Sequence, residues 1–325
     1  MLNILYCLDE NYNVQASNSI YSILENTKDK INVYIIHKNP ESFQKFSKLI
    51  LSKKNNVNFH IKRFDKTNLD FPNIDDSHVS EATYYRFYID DYLPTDLEEV
   101  LYIDADIICM QNISEFYFKQ FKELKNSEYT ISVSTEFTDN FDEYGYHDEF
   151  NRLELKNGNY FNAGVMFIDL KKWKKNKVQN NLIQTQKELY GKISLWDQDV
   201  LNKYFDNNYL NFDKNFNFTV NLWIYVGKNL NYSQPILEEQ IRKIYFLHYA
   251  GKSKPWSMKG AIHPMARYYQ KIYFQLHKKR YHIYSNWKAI ALVDFIGILF
   301  SKTFKIVDYK ISFVVNSLRY FFTKK

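Results

Sequence analysis

Glycine is scarce in this chain, at 8 of 325 residues. No G-x-G-x-x-G dinucleotide fingerprint and no P-loop can be drawn from them, which excludes both of those phosphate cradles. Cysteine is scarcer, at 2 residues. Cys7 and Cys109 each lie in an apolar run and read as buried free thiols. They build no disulfide framework and no zinc motif, and they fit a reducing compartment. A basic leader is missing too: Met1-Leu2-Asn3-Ile4-Leu5-Tyr6 runs straight to Asp9 and reads as a first strand, not a signal peptide. Internal repeats and long low-complexity linkers are absent. Acids are nearly absent from one end. Residues 271–325 hold 11 Lys or Arg and 2 acids, Asp294 and Asp308, so this segment is +9 and the rest of the chain −3. Such asymmetry points to an anionic partner for the tail.

What is present is the balance of a soluble globular protein, 45% hydrophobic and 25% charged, with 28 Tyr and 26 Phe. Strand-like runs at 3–8, 31–36, 57–64, 100–108, 129–133, 165–168 and 244–248 alternate with helix-like runs at 14–25, 40–51, 80–91, 171–189 and 197–205. That alternation predicts an α/β fold with a mixed, mostly parallel central sheet. Ligands of such sheets bind beyond the carboxyl ends of the strands, where Asp9, Asp104 and His248 fall.

Asp104-Ala105-Asp106 closes the apolar run Val100-Leu101-Tyr102-Ile103. In an extended backbone the two carboxylates point to one side. They read either as a capped strand-end turn or as oxygen ligands for a hard cation that clamps a diphosphate. His248 is either a satisfied structural histidine or a third ligand, and two carboxylates with an imidazole make a plausible manganese site. After it, Gly251 permits close backbone approach and Lys254 offers a point charge for phosphate. Asp9-Glu10-Asn11-Tyr12 is either a capped β–α turn or a nucleobase pocket, with Tyr12 stacking and Asp9 and Asn11 bonding the base edge. Asn162-Ala163-Gly164 reads as a turn before a buried strand, or as small residues that let a sugar ring approach. Asp197-Gln198-Asp199 is a helix N-terminus with acids on its dipole, or a group facing sugar hydroxyls. Arg86 is a snorkelling surface arginine or a buried partner for carboxylate or phosphate.

Taken together and in order, these stretches resemble glycosyltransferase family 8, which contains bacterial lipooligosaccharide galactosyl- and glucosyltransferases and the glycogenins. The matching segments are LDENY at 8–12, ATYYR at 82–86, LYIDAD at 101–106, YFNAGV at 160–165, DQDVLN at 197–202 and HYAGKSKPW at 248–256. The resemblance implies a GT-A fold and a retaining hexose transfer from UDP-galactose or UDP-glucose. It implies manganese on Asp104, Asp106 and His248, and uridine on Asp9, Asn11 and Tyr12. It places the diphosphate at Gly251 and Lys254, and the donor sugar among Arg86, Ala105, Asn162, Ala163, Asp197 and Gln198. Asp197 and Gln198 are the candidate catalytic pair. An amide is a weak nucleophile, so front-face attack, with a phosphate oxygen of the leaving UDP taking the acceptor proton, is the expected route. No secure match covers 135–159, where acceptor loops lie in this family.

The expected division is a GT-A catalytic domain over 1–265 and a basic, aromatic tail over 266–325. In the tail, Phe304, Val307, Ile311, Val315, Leu318 and Phe322 recur at helical spacing on one face, with Lys305, Asp308, Ser312, Asn316 and Arg319 on another. The run 289–300 is too short to span a bilayer. An interfacial helix at 280–325 on an anionic membrane is therefore expected, on the inner face of the cytoplasmic membrane, with a glycolipid or oligosaccharide acceptor of the lipopolysaccharide type. The competing readings are a metal-dependent UDP-sugar hydrolase and a non-catalytic protein that binds nucleic acid or membrane through its tail. No RNA-binding motif accompanies the tail, and no nucleic-acid partner is expected.

Overall fold

The computed structural model describes residues 1–72, 79–138, 147–156, 158–220, 238–251, 254–261, 265–279 and 282–283. The strands are β1 (Leu2–Leu8), β2 (Ile31–His37), β3 (Val57–Arg63), β4 (Glu99–Ile103), β5 (Ile107–Cys109), β6 (Ile131–Thr138), β7 (Asn159–Asp169), β8 (Leu210–Asn211), β9 (Phe218–Thr219) and β10 (Phe246–His248). The helices are α1 (Asn13–Asn26), α2 (Pro40–Leu51), α3 (Ile89–Tyr92), α4 (Ser114–Asn126), α5 (His147–Leu153), α6 (Leu170–Lys175), α7 (Val178–Glu188), α8 (Trp196–Phe205), α9 (Glu238–Ile241), α10 (Met258–Ala261) and α11 (Ala266–His277).

Among the described residues, a seven-stranded sheet has the order β3-β2-β1-β4-β7-β6-β8, and a three-stranded sheet the order β5-β10-β9. In the large sheet β1 pairs parallel with β2 and β4, as do β2 with β3 and β6 with β8. β7 runs antiparallel to both its neighbours, β4 and β6. Both faces of the sheet are covered. Leu2, Ile4, Tyr6 and Leu8 of β1 join one buried cluster with residues of α1, α2, α4 and α11, while Leu5 joins another with residues of α6, α7 and α8. A strand buried on both faces is apolar at successive positions, which is why β1 reads as a continuous run rather than an alternation.

The expected α/β fold is realised, and its local departures have physical causes. The single strand expected over 100–108 is two strands in two different sheets, β4 and β5. Asp104-Ala105-Asp106 is the turn that changes sheets, so the two carboxylates are brought together by a turn and not by an extended backbone. Asn162-Ala163-Gly164 is not a turn but part of β7, which begins earlier, at Asn159, because β4 and β6 flank it on both sides. The helix expected over 171–189 is split into α6 and α7 at Lys177, whose φ is +52°. Ser80 does cap, accepting from Ala82 N–H, but the segment opens as a 3₁₀ helix over Glu81–Tyr88 before α3.

α11, which the expected division assigns to the tail, packs into the core: Ala266, Tyr269, Ile272, Tyr273 and Leu276 are buried in the cluster that holds β1 and α1. The amphipathic pattern expected over 304–322 and the run 289–300 lie outside the described residues. Among the described residues, no helix is long and apolar enough to cross a membrane.

Candidate active site

The site sits beyond the carboxyl ends of β1 and β4, where α/β sheets place ligands. β4 ends at Ile103 and β5 pairs antiparallel with β10, with His248 opposite Ile107. That register sets His248 beside the Asp104–Asp106 turn. His248 Nε2 lies 3.3 Å from Asp106 Oδ1 and 3.9 Å from Asp104 Oδ2. One ligand atom from each of these three residues lies within 4.8 Å of the others.

The remaining oxygens of the two carboxylates are already occupied. Asp104 Oδ1 accepts from Tyr102 Oη at 2.6 Å and from Arg86 Nη2 at 2.9 Å. Asp106 Oδ2 accepts from Lys254 Nζ at 2.6 Å, and Lys254 also donates to the Tyr249 carbonyl at 2.7 Å. Asp106 Oδ1 is buried with no hydrogen-bond donor on it. A buried carboxylate oxygen without a donor is costly unless a cation meets it. Burial by itself pushes the Asp106 carboxyl up and the His248 imidazole down, but Lys254 and His248 outweigh burial at Asp106 and hold it below the usual carboxylate range. At His248 the carboxylates of Asp106 and Asp104 likewise outweigh burial and raise it. The facing atoms of Asp104, Asp106 and His248 thus attract positive charge. Two carboxylates and an imidazole match manganese in donor chemistry, and these residues fit it.

Arg86 is buried, not a snorkelling surface residue. It donates to Asp104, to the Ala163 carbonyl at 2.7 Å and to the Thr83 carbonyl at 3.0 Å, and its Nε lies 3.0 Å from Asp197 Oδ2. Its guanidinium also stacks over Tyr102, 3.9 Å from the ring centroid. One arginine therefore ties the D-x-D turn, β7 and the N-terminus of α8 together. Thr83 donates its hydroxyl proton to Asp197 Oδ1. Burial is the dominant influence on Asp197 and carries its carboxyl up to about 6, against the pull of Arg86 and Thr83.

Gln198 follows Asp197 on α8, and its Oε1 accepts from the Ala163 N–H at 3.0 Å. The amide carbonyl is engaged with backbone, which leaves it poorly disposed as a nucleophile. Asp199 is fully buried and serves the fold. It accepts from Tyr160 Oη, Arg152 Nη1 and the N–H groups of Ser194 and Leu195, and so braces the turn that leads into α8. Trp196, the first residue of α8, has φ +51°, a strained value for a bulky side chain beside a candidate site.

On the other flank, Asp9 is nearly buried and caps the turn after β1, accepting from Asn11 N–H at 2.9 Å. Asn11 Nδ2 reaches Asp9 Oδ2 at 3.4 Å. Tyr12 meets Trp256 edge to face, 6.4 Å between centroids. Gly251 has φ +73°, a conformation that favours glycine. Lys252 and Ser253 lie outside the described residues. Direct contacts therefore join Arg86 to Asp104, Ala163 and Asp197, Gln198 to Ala163, and Asp106 to His248 and Lys254, while Asp9 contacts Asn11 and Tyr12 contacts Trp256 on the other flank.

Sequence reasoning missed two neighbours. Asn217, buried before β9, bonds both Asn162 and His248. Glu136, near the end of β6, accepts from Asn162 Nδ2 at 3.2 Å. Neither lies in a motif, and no spacing marks them. Cys109 is buried and Cys7 partly buried, both as free thiols.

A family model described as glycosyl transferase family 8 matches residues 3–260. The chain belongs to glycosyltransferase family 8. Among curated family 8 relatives, a lipopolysaccharide 1,2-glucosyltransferase of Escherichia coli is 29% identical over 83% of this chain and 77% of its own. A lipopolysaccharide 1,3-galactosyltransferase of Salmonella typhimurium is 27% identical over 82% of this chain and 76% of its own. The fold matches the galactosyltransferase LgtC, solved with donor and acceptor sugar analogues, at a TM-score of 0.64 and 19% identity, over 85% of this chain and 96% of that one. The GT-A fold expected from the family 8 resemblance is therefore the fold observed, and glycosyl transfer is the activity class of this family.

Proposed function

We propose that this family 8 glycosyltransferase moves galactose or glucose from its UDP-sugar, with retention, to a cell-surface glycan acceptor of the lipopolysaccharide or lipooligosaccharide type. The observation that carries the reading is the convergence of Asp106 Oδ1, Asp104 Oδ2 and His248 Nε2 beside a buried arginine and a lysine. Asp104, Asp106 and His248 would hold manganese, which when bound supplies Lewis-acid neutralisation of the diphosphate.

The chain's own residues do the rest. Asp9, Asn11 and Tyr12 bind uridine, with Tyr12 supported from behind by Trp256. Lys254 and the backbone at Gly251 meet the diphosphate and add to a field preorganised for the leaving charge. Arg86, Ala105, Asn162, Ala163, Asp197 and Gln198 surround the donor sugar. Asp197 is already committed to Arg86 and Thr83 and Gln198 to Ala163 N–H. Those commitments favour front-face attack, with a phosphate oxygen of UDP accepting the acceptor proton. A mass-spectrometric glycosyl adduct on Asp197 or Gln198 would overturn that route.

The catalytic domain spans 1–265 and the tail 266–325, anchored to the body through α11. The tail lays its basic, aromatic helix on an anionic membrane surface, which puts the enzyme on the cytoplasmic face, peripherally bound, near a lipid-linked acceptor. A screen of UDP-sugars with manganese, reading UDP release with and without glycolipid acceptor, tests the reading. Release that needs the acceptor supports transfer, and release that ignores it makes the protein a hydrolase. Asp104→Asn or Asp106→Asn should abolish turnover, and near-wild-type rates would sink the metal assignment.

A further inference from the structure

One backbone N–H dictates the state of the histidine in the site. The Gly164 N–H can only donate, and it lies 2.9 Å from the side-chain oxygen of Asn162. That atom is therefore an acceptor. Asn217 approaches the same oxygen at 2.9 Å, so it does so with its Nδ2. Its Oδ1 is then the atom turned to His248 Nδ1, 3.0 Å away. An amide oxygen only accepts, so His248 Nδ1 carries a hydrogen. In the neutral imidazole Nε2 then keeps its lone pair, and it faces Asp104 and Asp106. Asn162, Asn217 and His248 are exposed by 7%, 4% and 5%, so water does not compete for these bonds. Backbone pairing reinforces the arrangement: β9 follows Asn217 directly and runs parallel to β10, with Thr219 opposite His248.

We infer that Asn217 is a positioning residue for the metal site: it holds His248 in the Nδ1–H tautomer and fixes the ring so that Nε2 faces the two carboxylates. The polarity of the relay originates at Gly164 and passes through Asn162. This inference rests on the reading of Asp104, Asp106 and His248 as ligands. Metal-bound imidazoles depend on such a partner at the other nitrogen, and losing it typically lowers metal affinity ten- to hundredfold.

The test compares two near-isosteric replacements, Asn217→Asp and Asn217→Leu, in the full chain. Manganese affinity is read without nucleotide from the electron paramagnetic resonance signal of the free ion, and fold stability from urea unfolding. Both variants lose the donor to Asn162, and Asn217→Asp also sets a buried carboxylate against the Asn162 oxygen, so it should be destabilised at least as much as Asn217→Leu. Asn217→Asp keeps an acceptor for His248 Nδ1–H, so its manganese affinity should stay within about threefold of wild type. Asn217→Leu removes the acceptor, and its affinity should fall at least about tenfold. Equal losses in the two variants would mean that Asn217 acts only through stability and would overturn the inference. A second measurement stands apart from metal binding. In nitrogen-15 spectra of histidine-labelled, metal-free protein at alkaline pH, His248 should show a protonated Nδ1 and a bare Nε2, and the opposite tautomer overturns the inference. A wild-type protein that binds no manganese sinks the metal reading, and the tautomer spectrum still decides whether Asn217 holds the ring.

Discussion

A Cβ built on Gly164 would stand 2.4 Å from Cε1 of His248 and 2.7 Å from its Nδ1. No real side chain tolerates that approach, so the glycine of β7 and the histidine of β10 define each other's space. Gly164→Ala must push the imidazole away from Asp104 and Asp106. Overpacking of this kind costs about 1–3 kcal/mol of stability. Manganese affinity should fall by about tenfold or more, since the ligand leaves its position. Metal titration alongside circular dichroism checks this, and a variant that binds metal normally would mean that β10 simply shifts aside.

Lys254 offers a second test, with opposite signs in two measurements. Its ammonium neutralises Asp106 at 2.6 Å in the metal-free protein, so it opposes a metal bound alone yet should favour a bound diphosphate. In Lys254→Met, manganese should bind more tightly without nucleotide, and UDP should bind more weakly with it, each on the order of tenfold. If Lys254 exchanges Asp106 for the diphosphate, metal and UDP should then help each other less than in wild type, by the same factor in either order. Calorimetric titrations in both orders decide it, and a parallel loss of both affinities would refute the exchange.

Asp197 predicts a pH dependence. Burial carries its carboxyl up to about 6, with Arg86 and Thr83 opposing. A raised carboxyl favours the protonated folded state; that contribution to stability is complete below the ordinary carboxylate range and is lost as pH rises through about 6. In the proposed donor-sugar role activity runs the other way, because the charged form pairs with Arg86 and would accept from sugar hydroxyls. The kcat/KM profile should rise as pH climbs through about 6 and level off above it. In Asp197→Asn the rise at that pH should vanish and the plateau fall. A wild-type profile flat from 5 to 8 would contradict the assignment.

His37 predicts the acid limit of the fold. It is fully buried at the end of β2, where its ring accepts from Asn39 N–H at 2.8 Å and bonds Asn13 Oδ1 at 2.8 Å. Burial lowers its pKa from 6.5 to about 4. A depressed histidine contributes stability that is complete above 6.5 and lost as pH falls toward 4, about 3 kcal/mol at the lower end. Urea midpoints measured between pH 7 and 4 should fall steeply, and less so in His37→Gln, which keeps no titrating group there. A similar fall in both proteins would assign acid lability to other groups.

The residues at strand ends were legible because an apolar strand that stops at a carboxylate is a local pattern. Asp9 after β1 and Asp104 after β4 need only that pattern, and His248 is found in the same way after β10. The tyrosine- and arginine-bearing segment at 82–86 was legible as a unit, but not the burial of Arg86. A buried arginine and a snorkelling one have the same sequence, and the three elements that Arg86 bridges are distant in the chain. Asp199 illustrates the opposite case. It stands in the same D-Q-D as Asp197, yet it braces a turn while Asp197 faces the site, because α8 turns the two to different neighbours.

The sequence by itself determined the alternation of strands and helices that makes an α/β fold, the strand ends that carry Asp9, Asp104 and His248, the carboxylates and imidazole available for a metal, and the basic end of the chain. Each follows from side-chain type and from periods of two or of three to four residues, which are local. Tertiary structure alone decided that Asp104 and Asp106 meet across a turn between two sheets, that Lys254 rests on Asp106, and that Asn217 reaches His248 across 31 positions. Those relationships depend on which strands pair and in what register, and hydrogen-bond polarity passed from Gly164 through Asn162 and Asn217 to His248 has no trace in a linear pattern.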